Sequence, residues 1–305
     1  MDWSCSETFL NKKRSFVKIK TLKTDQLIEW EFTKFVDSYL SFYFYECRMK
    51  GLGETSIGYG TSRNQYNAIQ KSFAEAWERL WFKKMTLTED VEGEVITSST
   101  GFAAGRNQDE AFAAAKGELI ERAVMLAAWE SQQGWKQRST TSLRHLALIT
   151  AYRLKGWRII LFDIVSNTGS VKACLALNKS YGSIFDTCFM FTNEQAETKV
   201  MQSVIKNIFF QKKIDNYILP QIGYPEDHRI FYADVRNAEA FNFMLDSRDS
   251  NKSFVLDSVD KVQIQLIHEA DNFPAVAYAR NTYWPEIKWG AQSIRGKNKW
   301  PHPLA

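Results

Sequence analysis

Histidine and cysteine are scarce in this sequence, and neither is arranged for chemistry. The four histidines, His145, His228, His268 and His302, stand far apart, outside any H-E-x-x-H pattern and with no cysteine at ligand spacing. That argues against a catalytic imidazole or a histidine-based metal centre. The four cysteines, Cys5, Cys47, Cys174 and Cys188, form no C-x-x-C pair, which rules against a zinc ribbon or a thioredoxin motif. No run approaches the roughly 18 apolar residues of a membrane span, and the opening "MDWSCSETFLNKK" has no apolar signal core. The expectation is a cytoplasmic protein with reduced thiols and no membrane partner.

Charge of one sign is also lacking. The chain carries 39 Lys and Arg against 35 Asp and Glu, a net charge of +4. So weak a basic balance suits a polyanionic small ligand or an acidic partner and does not argue for nucleic acid. The basic clusters "NKKRSFVKIKTLK" and "RGKNKW" read as solvated surface. A Pro/Ser-rich linker is absent, so 1–305 is expected to form one domain, with 1–50 as its N-terminal part and 296–305 as a Pro-containing tail.

What the sequence does contain is material for a sizeable core. Of its 305 residues 45% are hydrophobic and 14% aromatic, with ten tryptophans. Residues 26–50 mix helical and strand character. Helices are expected at about 65–84, 108–130 and 141–154, and "NEQAETKVMQSVIKNIFFQKK" forms another. "GWRIILFDIVS" and "SVKACLALN" read as strands of a hairpin around "NTG". "EDHRIFYADVRNAEAFNFML" is expected to mix a strand with a helix, and "KVQIQLIHEADNFPAVAYARNTYW" to supply two more strands. Strands and helices alternate without a regular βαβ period, which predicts an α+β (mixed α/β) fold.

Two of these helices are copies. Gly58–Arg79 aligned on Gly101–Arg122 gives eight identities in 22 ungapped positions: the leading Gly, Arg-Asn-Gln, one Ala, and a closing Glu-x-x-Glu-Arg. Residues three and four apart share a helix face. Glu75 and Glu78 therefore project together, as do Glu118 and Glu121. Asn107 is a candidate N-cap for the second helix, with Asp109 and Glu110 in its first turn. Surface i,i+4 pairs, Glu75–Arg79 and Glu118–Arg122, would account for either copy alone. Duplication suggests more. If the helices pack side by side, four carboxylates converge and require cations, which Mg²⁺ bridging to phosphates would supply. A Walker-type loop does not serve here: "GETSIGYG" from Gly53 places Tyr59 and Gly60 where Lys and Ser or Thr are needed.

"SSTGFAAGRNQDEAFAAAKGELIERAVMLAAW", Ser98–Trp129, resembles the signature segment of the YcaO family, in which a Ser and Gly-x-Ala-x-Gly precede a helix ending in E-x-x-E-R. The earlier Glu75–Arg79 motif, the hairpin "GWRIILFDIVSNTGSVKACLAL" and the terminal "KWPHPLA" are similar to further family features. The resemblance covers roughly residues 50–305. It implies a YcaO-like fold, with β-sheets layered against helices, that binds ATP and Mg²⁺ between the repeated helices. The implied activity is ATP-dependent activation of a peptide backbone amide, above all cyclodehydration of Cys, Ser or Thr to azolines in a ribosomally made peptide. Thioamide or amidine formation is the related chemistry. The implied partners are a precursor peptide and a leader-binding protein; a second copy of the chain, as a homodimer, is a further candidate.

The same resemblance assigns residues. Glu75, Glu78, Glu118 and Glu121 match the acidic positions that hold Mg²⁺ and nucleotide, and Ser99 the Ser before the glycine turn. Arg280 is similar to a late arginine near the nucleotide. Arg79 and Arg122 match the closing arginines, which either face the nucleotide or buttress their own helices. Pro301, Pro303 and the terminal carboxylate of Ala305 match a tail that reaches the catalytic centre. Four positions depart from the pattern: Lys71 where Ser is usual, Ala114 where Gln can occur, and Lys206 and Phe209 where a Glu and a Gln face the nucleotide. These departures support a second reading, a catalytically silent YcaO-like scaffold subunit in which Lys206 pairs with the acidic cluster.

Overall fold

The computed structural model describes residues 15–19, 28–37, 42–87, 98–189, 193–210, 225–246, 255–269, 273–284 and 300–303. They fall into two units whose segments interleave along the chain. The first takes Met1–Ser99, Ala104–Asn107 and Ile267–Val276, and the second takes the remainder.

The first unit is an antiparallel meander carrying one helix. Strands β1 (Ser15–Ile19), β2 (Glu29–Asp37), β3 (Phe42–Gly51) and β4 (Glu54–Ser62) pair in chain order. Residues 26–50, of mixed expectation, thus contribute strands wherever they are described. Leu52 and Gly53, both at positive φ (54° and 82°), close the β3–β4 hairpin, as a tight two-residue connection demands. Helix α1 (Gln65–Leu87) lies on the face that carries Tyr45, Cys47 and Met49 opposite Gly60, Gly58 and Ser56. The two glycines make that approach possible. A Cβ on Gly60 would fall 1.8 Å from the Ala68 carbonyl oxygen, and one on Gly58 would fall 2.2 Å from the Ala76 nitrogen. "GETSIGYG" is therefore a helix-packing strand and not a phosphate loop. Trp77 stacks on Phe273 at 4.6 Å, Trp81 on His268 at 4.4 Å, and Phe73 meets Trp30 edge-on.

The second unit centres on another antiparallel sheet, β6 (Trp135–Arg138), β7 (Trp157–Ser166), β8 (Gly169–Asn178) and β9 (Gly182–Cys188), again in chain order. The expected hairpin is present, with Ser166 opposite Gly169. Helix α2 (Gln108–Ser131) buries Ala111, Ala115, Ala123 and Ala128, and its Trp129 joins Trp135, Phe162, Phe185 and Phe241 in one core. The Trp135 indole donates to the Ala128 carbonyl at 3.0 Å, so its one polar group is satisfied inside the core. Helix α3 (Leu143–Leu154), capped by Ser142, meets α4 (Asn193–Phe210) through the buried His145, whose Nδ1 lies 2.7 Å from Glu197 and whose Nε2 lies 3.2 Å from Thr198.

The segment expected to mix a strand and a helix is helical wherever it is described: α5 (Pro225–Ala233), a 3-10 turn at Val235–Phe241, and α6 (Asn242–Asp246). The reason is local. His228, Phe231 and Tyr232 are buried at helical spacing, and Asp234 accepts the Arg236 N–H at 2.9 Å to start the next turn. A short aromatic run does not distinguish the two periods by itself. Strands β5 (Phe102–Gly105), β10 (Gln263–His268) and β11 (Ala275–Arg280) form a third sheet, order β10-β11-β5, and each contributes residues to both units.

Two glycine substitutions test this packing in opposite directions. Gly60→Ala should lower stability by about 1–3 kcal/mol or more, because the clash is with helix backbone. Gly117→Ala, whose new Cβ would meet Phe189 at an ordinary 3.6 Å, should raise it by about 0.4–1 kcal/mol. Urea denaturation midpoints would measure both.

Candidate functional site

The repeat seen in the sequence is a structural repeat of strand, turn and helix. β4 passes through Arg63 and Asn64 into α1, and β5 passes through Arg106 and Asn107 into α2. The helices begin at equivalent glutamines, Gln65 and Gln108. Asn64 caps α1 by accepting the Asn67 N–H at 3.1 Å.

In the first unit the acidic motif meets backbone. Strand β4 is a sheet edge, so every second residue presents unpaired backbone groups. Four side chains of α1 meet them in sequence. Lys71 donates to the Thr61 carbonyl (3.4 Å), Glu75 accepts the Tyr59 N–H (2.5 Å), Arg79 donates to the Ile57 carbonyl (2.9 Å), and Lys83 donates to the Thr55 carbonyl (2.6 Å). The match is geometric: four helix residues advance about 6 Å and two strand residues about 6.6 Å. Arg79 also holds Glu75 at 2.8 Å, so Arg79 does buttress its own helix. Glu78 accepts the Ala104 N–H at 3.1 Å. Lys71, the departure from the family pattern, thus has a definite place in the fold. Ser99 is exposed.

In the second unit Glu118, Glu121 and Arg122 come together. Arg122 lies 3.9 Å from Glu118 and 4.0 Å from Glu121. Glu121 is only 7% exposed and takes the Thr187 hydroxyl at 2.7 Å and the Phe189 N–H at 2.9 Å. Asp186 on β9 receives Ser203 of α4. Burial opposes the charge of Arg122, but Glu121, Glu118 and Asp186 more than offset it and hold the guanidinium above its ordinary value. Lys199 of α4 behaves alike: surrounding protein disfavours its charge, while Cys188, Glu121, Glu118 and Asp186 raise it. Asp186 and Lys199 were not anticipated. Lys199 belongs to a polar stripe, Lys199, Ser203 and Lys206, at i, i+4 and i+7 on a helix whose Val200, Val204 and Ile205 are buried, but nothing in that spacing says which strand the stripe faces. Phe209, another departure from the family pattern, is buried and packs on Phe210 at 5.1 Å. Ala114 is exposed.

The remaining assignments fall on β11 and on the tail. Arg280 on β11 donates to Gln263 at 2.9 Å. The tail is anchored where it is described. The Trp300 carbonyl accepts from Trp129 (3.2 Å), the Pro301 carbonyl from the Tyr232 hydroxyl, and the His302 carbonyl from His228 (2.6 Å). Pro301 and Pro303 are buried, and Ala305 lies outside the described residues. Among the described residues no three His, Cys, Asp or Glu groups stand together in metal-holding geometry, and no helix is long and apolar enough to cross a membrane.

Residues 78–199 match the model of the YcaO cyclodehydratase family, described as ATP- and Mg²⁺-binding. The fold is similar to that of YcaO from Methanopyrus kandleri bound with AMPPCP and Mg²⁺ (11% identity, 81% of this chain and 84% of that one, TM-score 0.57). It is also similar to a chain of the E. coli microcin synthetase McbBCD complex with pro-MccB17 bound (12%, 87% and 89%, 0.60), and to a heterocyclase in complex with substrate and cofactor (11%, 88% and 51%, 0.61). No curated protein matches. The YcaO resemblance read from Ser98–Trp129 is borne out, as is the mixed α+β, YcaO-like fold. The expected ATP and Mg²⁺ agree with the family's description.

Three measurements probe these residues and the buried thiols. Glu121→Ala leaves the Thr187 hydroxyl and the Phe189 N–H without this acceptor and removes one of the two carboxylates beside Arg122, and should cost about 3 kcal/mol or more in chemical denaturation. Burial pushes the thiols of Cys47 and Cys188 from 9.0 up to about 12, and that of Cys174 upward as well. All three should resist a thiol reagent in the folded protein at pH 8 and react on unfolding. The unfolded chain loses these protons first, so stability should fall as pH rises from about 9 to 12.

Proposed function

We propose that this chain is an ATP-dependent enzyme that activates backbone amides of a peptide, with cyclodehydration of Cys, Ser or Thr to azolines as its reaction. The observation that carries the reading is the repeated strand–turn–helix with an intact E-x-x-E-R ending in each copy, the second copy lying within the segment, residues 78–199, that matches the YcaO model. Glu75, Glu78 and Glu118 offer the hard oxygen donors that suit Mg²⁺, and Glu75 and Glu118 are 25% and 28% exposed. Glu121, with an N–H or O–H on each oxygen, serves to orient Arg122 and the β9 end beside them. Arg122, Ser99 and Arg280 complete the proposed nucleotide-binding set. Pro301, Pro303 and Ala305 are proposed to carry the terminal carboxylate to the reacting amide. ATP supplies the phosphoryl group that turns an amide oxygen into a leaving group, and cationic side chains stabilise the charge that moves with it. The substrate is a precursor peptide presented by a leader-binding partner, in the cytoplasm.

A second reading, a silent scaffold subunit, is favoured by Lys199. Its ammonium stands within electrostatic reach of Glu118, Glu121 and Asp186, where the sequence had suggested Lys206. Calorimetry with Mg-ATP separates the two. Micromolar binding supports the enzyme, and no heat even with the partner present supports the scaffold. With precursor peptide and partner, release of ADP or AMP is expected. Glu118→Gln, at a partly exposed position that keeps its shape, should abolish that release, and full turnover in this variant would overturn the assignment.

A further inference from the structure

The second unit has an unfilled place in its sheet. Strand β6 pairs with β7 only from Trp135↔Ile164 to Arg138↔Leu161, after which the chain turns away through Ser139 and Thr140 into α3. β8 continues alongside β7 to Trp157↔Asn178. Among the described residues Trp157–Ile160 therefore have a strand on one side and none on the other, and alternate backbone N–H and C=O groups open outward. A groove of about 300 Å³ lies along this edge, walled by β7, by the Gln137–Thr140 segment and by Leu146, Ile149 and Arg153 of α3.

The chemistry of the groove selects its occupant. Arg138, Arg153 and Arg158 line it and no carboxylate does. Arg153 and Arg158 are exposed. Arg138 holds Asp163 at 2.9 Å through one terminal nitrogen, but its Nε is buried without a hydrogen-bond partner. The apolar wall of Leu146 and Ile149 continues onto Leu143, which is 81% exposed. Open backbone groups call for another backbone in extended form, and the guanidinium groups of Arg153 and Arg158, with no carboxylate among the groove's lining residues, call for carboxylates.

We propose that this groove binds a short acidic peptide segment as an added strand beside Trp157–Ile160, with its carboxylates on Arg153 and Arg158 and its apolar residues on Leu146 and Ile149. Site occupancy requires neither ATP nor turnover, so the proposal holds for an enzyme or for a scaffold.

The test uses the full chain and a short fluorescein-labelled peptide of alternating Glu and Val, read by anisotropy. Binding is expected, and the Lys–Val counterpart should bind at least about tenfold more weakly. N-methylation of alternate peptide nitrogens should weaken binding similarly, because it removes the donors that a strand addition needs. The double variant R153E/R158E, at two exposed positions, should lose the Glu–Val peptide and gain the Lys–Val one, with an unchanged circular dichroism spectrum. Hydrogen exchange should show new protection in 157–161. The proposal is overturned if the Glu–Val peptide does not bind, if the N-methylated peptide binds equally well, or if protection appears on 143–154 alone. Equal affinity for an oligonucleotide of the same charge would also overturn it, since that would make the groove a general anion site.

Discussion

A strand at the edge of a sheet leaves alternate backbone groups without partners, and buried or half-buried groups of that kind must be met from somewhere. The repeated helices meet that need here. Lys71, Glu75, Arg79 and Lys83 stitch α1 along the outer edge of β4. Glu78 meets the Ala104 N–H, and Glu121 meets the Phe189 N–H just beyond β9, itself an edge strand. Glu75, Glu78, Arg79 and Glu121 of the two E-x-x-E-R motifs are therefore parts of the backbone hydrogen-bond inventory of their units before they are anything else. Among the described residues the edge of β7 at Trp157–Ile160 has no strand beside it, and the groove along it is lined by Arg138, Arg153 and Arg158 together with Leu146 and Ile149.

This constraint also shows that the copies are unequal in a way their identities conceal. In α1 both glutamates take strand N–H groups, Glu75 that of Tyr59 and Glu78 that of Ala104; in α2 Glu121 takes the Phe189 N–H, just past a strand end, together with a hydroxyl. Arg79 reaches a strand carbonyl, while Arg122 stays among carboxylates. Equivalent letters sit on equivalent helical positions, but the strands they face differ. The unit of repetition is the strand–turn–helix geometry rather than the individual contact.

Much of this was legible from residue order. Helix starts at Gln65 and Gln108, the hairpin at Ser166–Gly169 and the strands of "KVQIQLIHEADNFPAVAYARNTYW" follow from periodicity and turn chemistry acting over a few residues. "EDHRIFYADVRNAEAFNFML" was expected to include a strand because a short aromatic run does not separate periods of 2 and 3.6, and the deciding contact, the Asp234 cap, lies between its helical turns. Lys71 looked like a defect because its partner, the Thr61 carbonyl, belongs to another element and is invisible in a linear pattern. Asp186 and Lys199 were missed for the same reason: strand β9 and helix α4 bring them to Glu118 and Glu121 through tertiary structure that no spacing rule encodes.

Structural duty does not disqualify a carboxylate from holding a cation. Each carboxylate oxygen has two lone-pair directions, so an oxygen that accepts one N–H retains a second, and a group fixed by a backbone donor is already oriented for a ligand. The cluster around α2 is where that matters. Glu118, Glu121 and Asp186 lie within electrostatic reach of Arg122 and Lys199, so the two cations already lower the repulsion that converging carboxylates would otherwise suffer. Any divalent ion that bound there would have to share those carboxylates with Arg122 and Lys199, and the affinity of the site for Mg-ATP is set by that competition rather than by the number of carboxylates alone.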